Sequence, residues 1–232
     1  MTYKTYLEMK SKILKELDLE SEDFIQPDEL LGYFNDAIDE MEASVHKLGR
    51  EDLYFLNKAT LTLVQNQDEY SLPSDIYANK IRRVVYHASD RIYAIKRLRQ
   101  EQMFEQMEVV NLYPGANDYY SYALYNPSAA SGVKLLLFPT PKENSSNVRI
   151  WYIRNANRMV DDTSICDVPE FYNFIYAYVK WKCRDKEFQG NATEDMAAME
   201  AQKKLMVETL TGMTPDDDDE VVRDLSHYED HN

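Results

Sequence analysis

The sequence is poor in several things that chemistry usually requires. Its 232 residues include two cysteines, six glycines and four histidines. Six glycines leave little material for loops that cradle phosphate. No glycine-rich phosphate loop, nucleophile elbow or zinc-protease helix pattern occurs. Cys166 and Cys183 have neither metal spacing nor the density of a disulfide framework, which points to a reducing compartment. His46, His87, His227 and His231 have no partner at the spacing of a metal or catalytic pair. Positive charge is also scarce. Lys and Arg number 26 against 41 Asp and Glu, a formal net charge of −15. That balance opposes simple electrostatic attraction to DNA, RNA or an anionic membrane. The cations that do cluster, Arg82-Arg83 and Lys96-Arg97-Leu98-Arg99, read as a solvated face. The N-terminus has no apolar signal core, and no stretch approaches a membrane span. Carboxylates are plentiful, but no spacing selects a pair for acid–base work. The run Asp216 to Asp219 lacks the alternating ligands and turn glycine of a calcium loop and reads as solvated acid. The expectation is therefore no catalytic, cofactor-binding or metal site.

Hydrophobic residues make up 44% of the chain, enough for a real core in one large domain or a domain with an appended subdomain. The organising stretch is Leu61 to Tyr86. Leu61 and Leu63 alternate with Thr60 and Thr62, Gln65 to Asp68 supply turn residues, and Glu69 to Leu72 resume the extended pattern. Pro73 denies its nitrogen to any ladder and biases Leu72 to extended backbone. Further strands are expected near 81–87, 92–96, 120–126, 133–138 and 147–154, with a short helix from Leu98 to Val109. Pro139 to Ser146 reads as a turn joining two antiparallel strands.

Helices flank this region. Residues 3–17 have helical apolar spacing. From Pro27, a first-turn proline, Leu30, Leu31, Phe34, Ile38, Met41, Val45 and Leu48 make a continuous stripe that ends at Gly49. Burying those side chains contributes roughly 10–20 kcal/mol gross at about 1.5–3 each. Asp167 with Glu170 has capping-box form ahead of an aromatic helix, 171–188, and Asn191 with Glu194 starts a last helix by the same logic. Met196, Met199 and Met206 read as its core filler, with Leu210 and Met213 completing the stripe. The fold class is α+β: a helical bundle (1–57 and 157–213), an inserted antiparallel β-domain (58–156), and an extended acidic tail (214–232). That tail alone cannot offset its ordering entropy and is expected to gain order only when docked.

Tyrosine is over-used, with 18 residues. Five fall together at Tyr113, Tyr119, Tyr120, Tyr122 and Tyr125, without the cations that base stacking needs. They read either as an interface or as an ordinary sheet face. The candidate interface residues are Tyr113, Tyr119, Tyr120, Tyr122, Tyr172, Tyr176, Trp181, Met213, Val221, Val222, Leu225 and Tyr228.

The order of elements carries more. After the amphipathic helix with Leu30-Leu31 through Ile38 come Leu63-Val64, then Gln67, Glu69-Tyr70, Leu72-Pro73, Asp75-Ile76 and the Ile81 to Val84 strand. A β meander and two helices with a tail follow. This order resembles the head-to-tail connector, or adaptor, proteins of tailed bacteriophages, particularly those of short-tailed and crAss-like phages. The resemblance implies a virion protein rather than an enzyme, with no cofactor. It implies a twelve-fold ring of this chain beneath the portal protein at the portal vertex. That ring would contact other tail or ring proteins and pass DNA without specific binding, and it involves no membrane. A non-virion assembly factor is the alternative, with a metal-dependent hydrolase behind it.

Overall fold

A computed structural model describes residues 3–19, 24–87, 92–99, 101–103, 120–128, 132–188 and 190–212. The chain is mixed helix and antiparallel sheet, and divides into two compact units: residues 1–50 with 156–232, and residues 51–155.

The first unit holds α1 (Tyr6–Glu16), α2 (Pro27–Lys47), α4 (Tyr172–Glu187) and α5 (Thr193–Gly212). Local chemistry sets their ends. Thr5 and Glu8 form a reciprocal capping box at α1, a signal in the T-Y-L-E order that the sequence reading passes over. At its other end Asp18, at φ 58°, and Leu19 send their N–H groups back to Lys15 and Leu14. Gly49 does the same for α2: its φ is 66°, and Gly49 and Arg50 bond the carbonyls of His46 and Val45. Both are Schellman closures. Pro27 sits in the first turn of α2, as its sequence position predicts.

Leu30, Phe34, Ala37, Ile38, Met41 and Val45 form the buried stripe of α2. Phe34 meets Tyr6 of α1 edge-on at 5.1 Å. Helix α4 packs on α1, α2 and α5, burying Phe174, Ile175, Val179 and Cys183. In α5, Met199, Met206 and Leu210 are buried, but Met196 is 46% exposed and is not the core filler its spacing suggests. The Asp167 cap does not form either. The Asp167 carboxylate accepts from the Asn157 N–H, and α4 is instead entered through a 3-10 turn, Pro169–Phe171, with no side-chain cap. Helix α5 begins at Thr193, so its first carbonyl acceptor is Ala192 and not Asn191.

The second unit opens with α3 (Glu51–Tyr54), which the apolar pattern does not announce, and continues into two four-stranded sheets. One sheet has the order β1-β8-β3-β4: β1 (Leu56–Leu63), β8 (Ser145–Arg154), β3 (Ile76–His87) and β4 (Ile92–Ala94). The other has the order β2-β7-β6-β5: β2 (Glu69–Ser71), β7 (Lys134–Phe138), β6 (Ser121–Tyr125) and β5 (Lys96–Arg97). All neighbours are antiparallel except β5 and β6. The sheets share one core built from Leu63, Val84, Val148, Ile150 and Tyr152 of the first, and Tyr70, Tyr122, Leu135 and Leu137 of the second. Strand β7 is buried on its other face too, where Leu136 and Phe138 meet Met103 and Ala123. A strand covered on both sides explains the unbroken run Leu135-Leu-Leu-Phe138.

Two expected features differ. The strand expected at 92–96 is two strands in two sheets, and the chain changes sheet at Ile95, which is buried in the shared core. Pro139 to Ser146 likewise links β7 to β8 across sheets and is not a hairpin turn. Of the helix expected at 98–109, residues 101–103 are helical, Leu98 and Arg99 are irregular, and residues 100 and 104–109 lie outside the described residues.

The side chain of Glu51, at the head of α3, is only 7% exposed and pairs with Lys80 and Arg82 of β3 at 3.0 Å each. Burial alone would raise its pKa. Its own backbone N–H, with Lys80 and Arg82, outweighs that and holds the carboxyl below its ordinary value. A depressed folded-state value stabilises the fold above the unfolded pKa of about 4.3, and the contribution is lost as pH falls through the folded value. Glu51→Gln is expected to cost about 1–2 kcal/mol at pH 7, since both cations can still reach water. It should also flatten the loss of stability between about pH 5 and pH 3, measured by urea unfolding across that range.

Candidate interaction surface

The residues that set the sequence apart are structural pins. Tyr70 is 4% exposed. Its hydroxyl donates to the Gln67 carbonyl at 2.7 Å and to the Val64 carbonyl at 3.3 Å, and accepts from the Val64 N–H at 3.1 Å. One side chain thus closes the β1–β2 turn, where Asn66 takes φ 62°. The same turn is tied to the β7–β8 link, because Asn66 and Gln65 donate their N–H groups to the Pro141 carbonyl and the Asn144 side chain. Asp75 follows Pro73 and accepts from the Tyr152 hydroxyl at 2.8 Å and from Asn57 at 3.4 Å, while its carbonyl takes both N–H groups of Asn155. Burial, then the bond to Asp75, pushes the Tyr152 hydroxyl up to about 12. Tyr70→Phe should lower stability by about 1–3 kcal/mol, by urea denaturation, because the Val64 N–H and the Gln67 carbonyl lose their partner. A change below about 0.5 kcal/mol would show that the hydroxyl is not a pin.

The expected interface residues fall in several places. Tyr122 is 4% exposed, inside the core between the sheets, and presents no surface. Tyr120 is half-buried against Tyr86, 5.2 Å away, and Tyr86 in turn stacks on Tyr93 at 5.3 Å. On α4, Tyr172 and Tyr176 stack at 5.9 Å and are covered by lysines: Lys4 lies 4.4 Å from the Tyr172 ring and Lys12 4.4 Å from the Tyr176 ring. Burial and the Glu16 carboxylate push the Tyr176 hydroxyl upward. Those rings are therefore packed by the same chain's α1 side. Trp181 meets Tyr178 edge-on at 5.5 Å, with the Lys182 ammonium 4.6 Å from its ring, and is partly exposed. Tyr113, Tyr119 and Met213 lie outside the described residues, as does the acidic tail with Val221, Val222, Leu225 and Tyr228.

The titratable groups are tuned for packing. Burial pushes the Cys166 thiol up to about 11 and Cys183 up to about 12, so neither is a ready nucleophile. Buried Glu42 accepts the Ala156 N–H at 2.6 Å and Arg158 at 2.8 Å. Asn35 and Met159 exchange two hydrogen bonds at 3.0 and 2.8 Å. Together these fasten the segment after β8 onto α2. Among the described residues no grouping of His, Cys, Asp and Glu could hold a metal, and no helix is long and apolar enough to cross a membrane. What this arrangement offers is surface, and the exposed apolar side chains sit in small sets. Leu7 and Ile165 are 48% exposed on either side of the contact in which Thr5 bridges Ile165 and the Leu7 N–H bonds Asp162. Trp151 is 37% exposed on the first sheet.

Charge separates along the chain in a way its total conceals. The helical unit carries 30 acidic and 14 basic residues, the sheet unit 11 acidic and 12 basic. Compared with known families, residues 4–224 match the family described as SU10 adaptor protein. No curated protein matches the sequence.

Proposed function

Because the chain belongs to the SU10 adaptor protein family, we propose that it forms the ring that joins head to tail at the portal vertex and prolongs the DNA channel there. The family is one of phage structural adaptors, which are virion components and not enzymes. The observation that carries the proposal is the extent of the match, residues 4–224, which takes in both compact units. The likeness therefore does not rest on the short Glu69 to Ile76 motif, whose residues have structural duties of their own.

The physical features support a role of contact and not of chemistry. Copies arranged head to tail close into a ring when the rotation between them closes, and such a ring uses two different patches of each copy. A unit with a large acidic excess and a unit close to neutral give the chain two such different surfaces. The same excess of acid weakens any hold on passing DNA. Within this reading the portal protein and other tail proteins take the two rims of the ring, and neighbouring copies take its sides.

Quantitative mass spectrometry of purified virions tests it. The expected result is a copy number matching a ring at one vertex, close to that of the portal protein. Absence from particles would make the chain an assembly factor, and a number equal to that of the major capsid protein would remove it from the vertex; either result defeats the proposal.

A further inference from the structure

The first sheet is anomalous for so acidic a chain. Its four strands, β1, β3, β4 and β8, contain six Lys and Arg residues and no Asp or Glu. Lys80 and Arg82 are committed to Glu51 and Asp52. The remaining cations of interest are arranged by register. Lys58, Trp151 and Arg83 are direct partners across β1, β8 and β3, so they form one row on one face. Arg149 heads the next row on that face, beside Thr60 and Val85. Lys58, Arg83 and Arg149 are exposed, Trp151 is 37% exposed, and the Lys58 ammonium lies 5.4 Å from the Trp151 ring. Neither Arg83 nor Arg149 has an ion-pair partner among the described residues.

The chain also carries the complement of this face. Residues 214–232 hold eight Asp and Glu against one Arg, beginning with the run Asp216 to Glu220, which is followed at once by Val221 and Val222. Extended, nineteen residues reach about 60 Å, several times the roughly 15 Å width of four paired strands. We propose that the exposed face of this sheet receives the acidic C-terminal segment of a second copy. The carboxylates of 216–220 meet Arg83, Arg149 and Lys58, and the adjoining valines cover Trp151. The desolvated indole supplies apolar area and the flanking cations supply register, a pattern typical of binding anchors. Duplex DNA is the weaker fit. Three cations on a chain of net charge −15 would give only a shallow electrostatic attraction.

The proposal deepens the ring reading and rests on it, because a closed ring supplies one tail to each sheet. Its test is independent of virions, so that either can fail alone. The receptor is the full-length chain with Asp216 to Asp219 changed to Asn and Glu220→Gln, which stops its own tail competing. A fluorescein-labelled peptide of residues 214–232 is titrated in and followed by anisotropy at low salt. Saturable binding is expected, weakening steadily with added salt. Arg83→Glu with Arg149→Glu should raise Kd by about tenfold or more, and Trp151→Ala by several-fold. No saturable binding, or binding indifferent to the arginine pair, overturns the proposal. So does a short duplex DNA that binds through the arginine pair and is not displaced by unlabelled peptide.

Discussion

The sheet unit depends on a single residue, Asp75, at the place where its chain enters and leaves: its carboxylate holds one end and its carbonyl the other. Asn57 stands at the start of β1 and Asn155 just after β8, and both reach Asp75 at the approach to β3. Tyr152 adds its hydroxyl from the middle strand. An inserted unit must bring its two ends together, and the cost of closing a long loop falls on that point. Here the closure is made by polar groups of three strands that would otherwise lie unpaired in a half-buried site. Pro73 prepares it by ending the ladder of β2 before Asp75. The short motif that marks the sequence is therefore the fastening of the fold, and its residue types follow from that duty.

Much of the secondary structure was legible because periodicity is a local property. The stripe of α2, the proline at its start and the glycine at its end are all read from neighbours in sequence. The alternation in Thr60 to Leu63 and in Val148 to Tyr152 likewise announces strands whose inner faces are buried. What failed were statements about partners. Asp167 has the form of a cap, but folding brings the Asn157 N–H within 3.1 Å of its carboxylate. The link from Pro139 to Ser146 has the composition of a hairpin turn, yet nothing local tells the next strand which sheet to join. That choice is made by the apolar faces that meet in the shared core.

The tyrosines show the same division between composition and place. Tyr120 and Tyr122 are two residues apart and both turn toward the core shared by the sheets, one partly and one fully buried. Tyr70 and Tyr152, which the interface reading omits, carry the polar work of the unit. A phenol suits such positions because its ring fills a core while its hydroxyl reaches a backbone or carboxylate partner at the edge. Abundance of tyrosine was thus a sign of many half-buried edges before it was a sign of an interface, whereas Trp151 pairs an exposed ring with flanking cations.

Net charge is the remaining lesson, because it is an average over units that differ. A value of −15 describes neither the helical unit, which is far more acidic for its size, nor the sheet unit, which is close to neutral. An evenly acidic chain would repel its own copies on every approach. Segregated charge instead penalises like-to-like contacts between helical units and leaves the acid-free strands as the surface on which an acidic segment of another copy meets attraction. Such an asymmetry suits the heterologous contacts of the proposed ring better than isologous pairing. The distribution of carboxylates along the chain, more than their number, therefore carries the information about assembly.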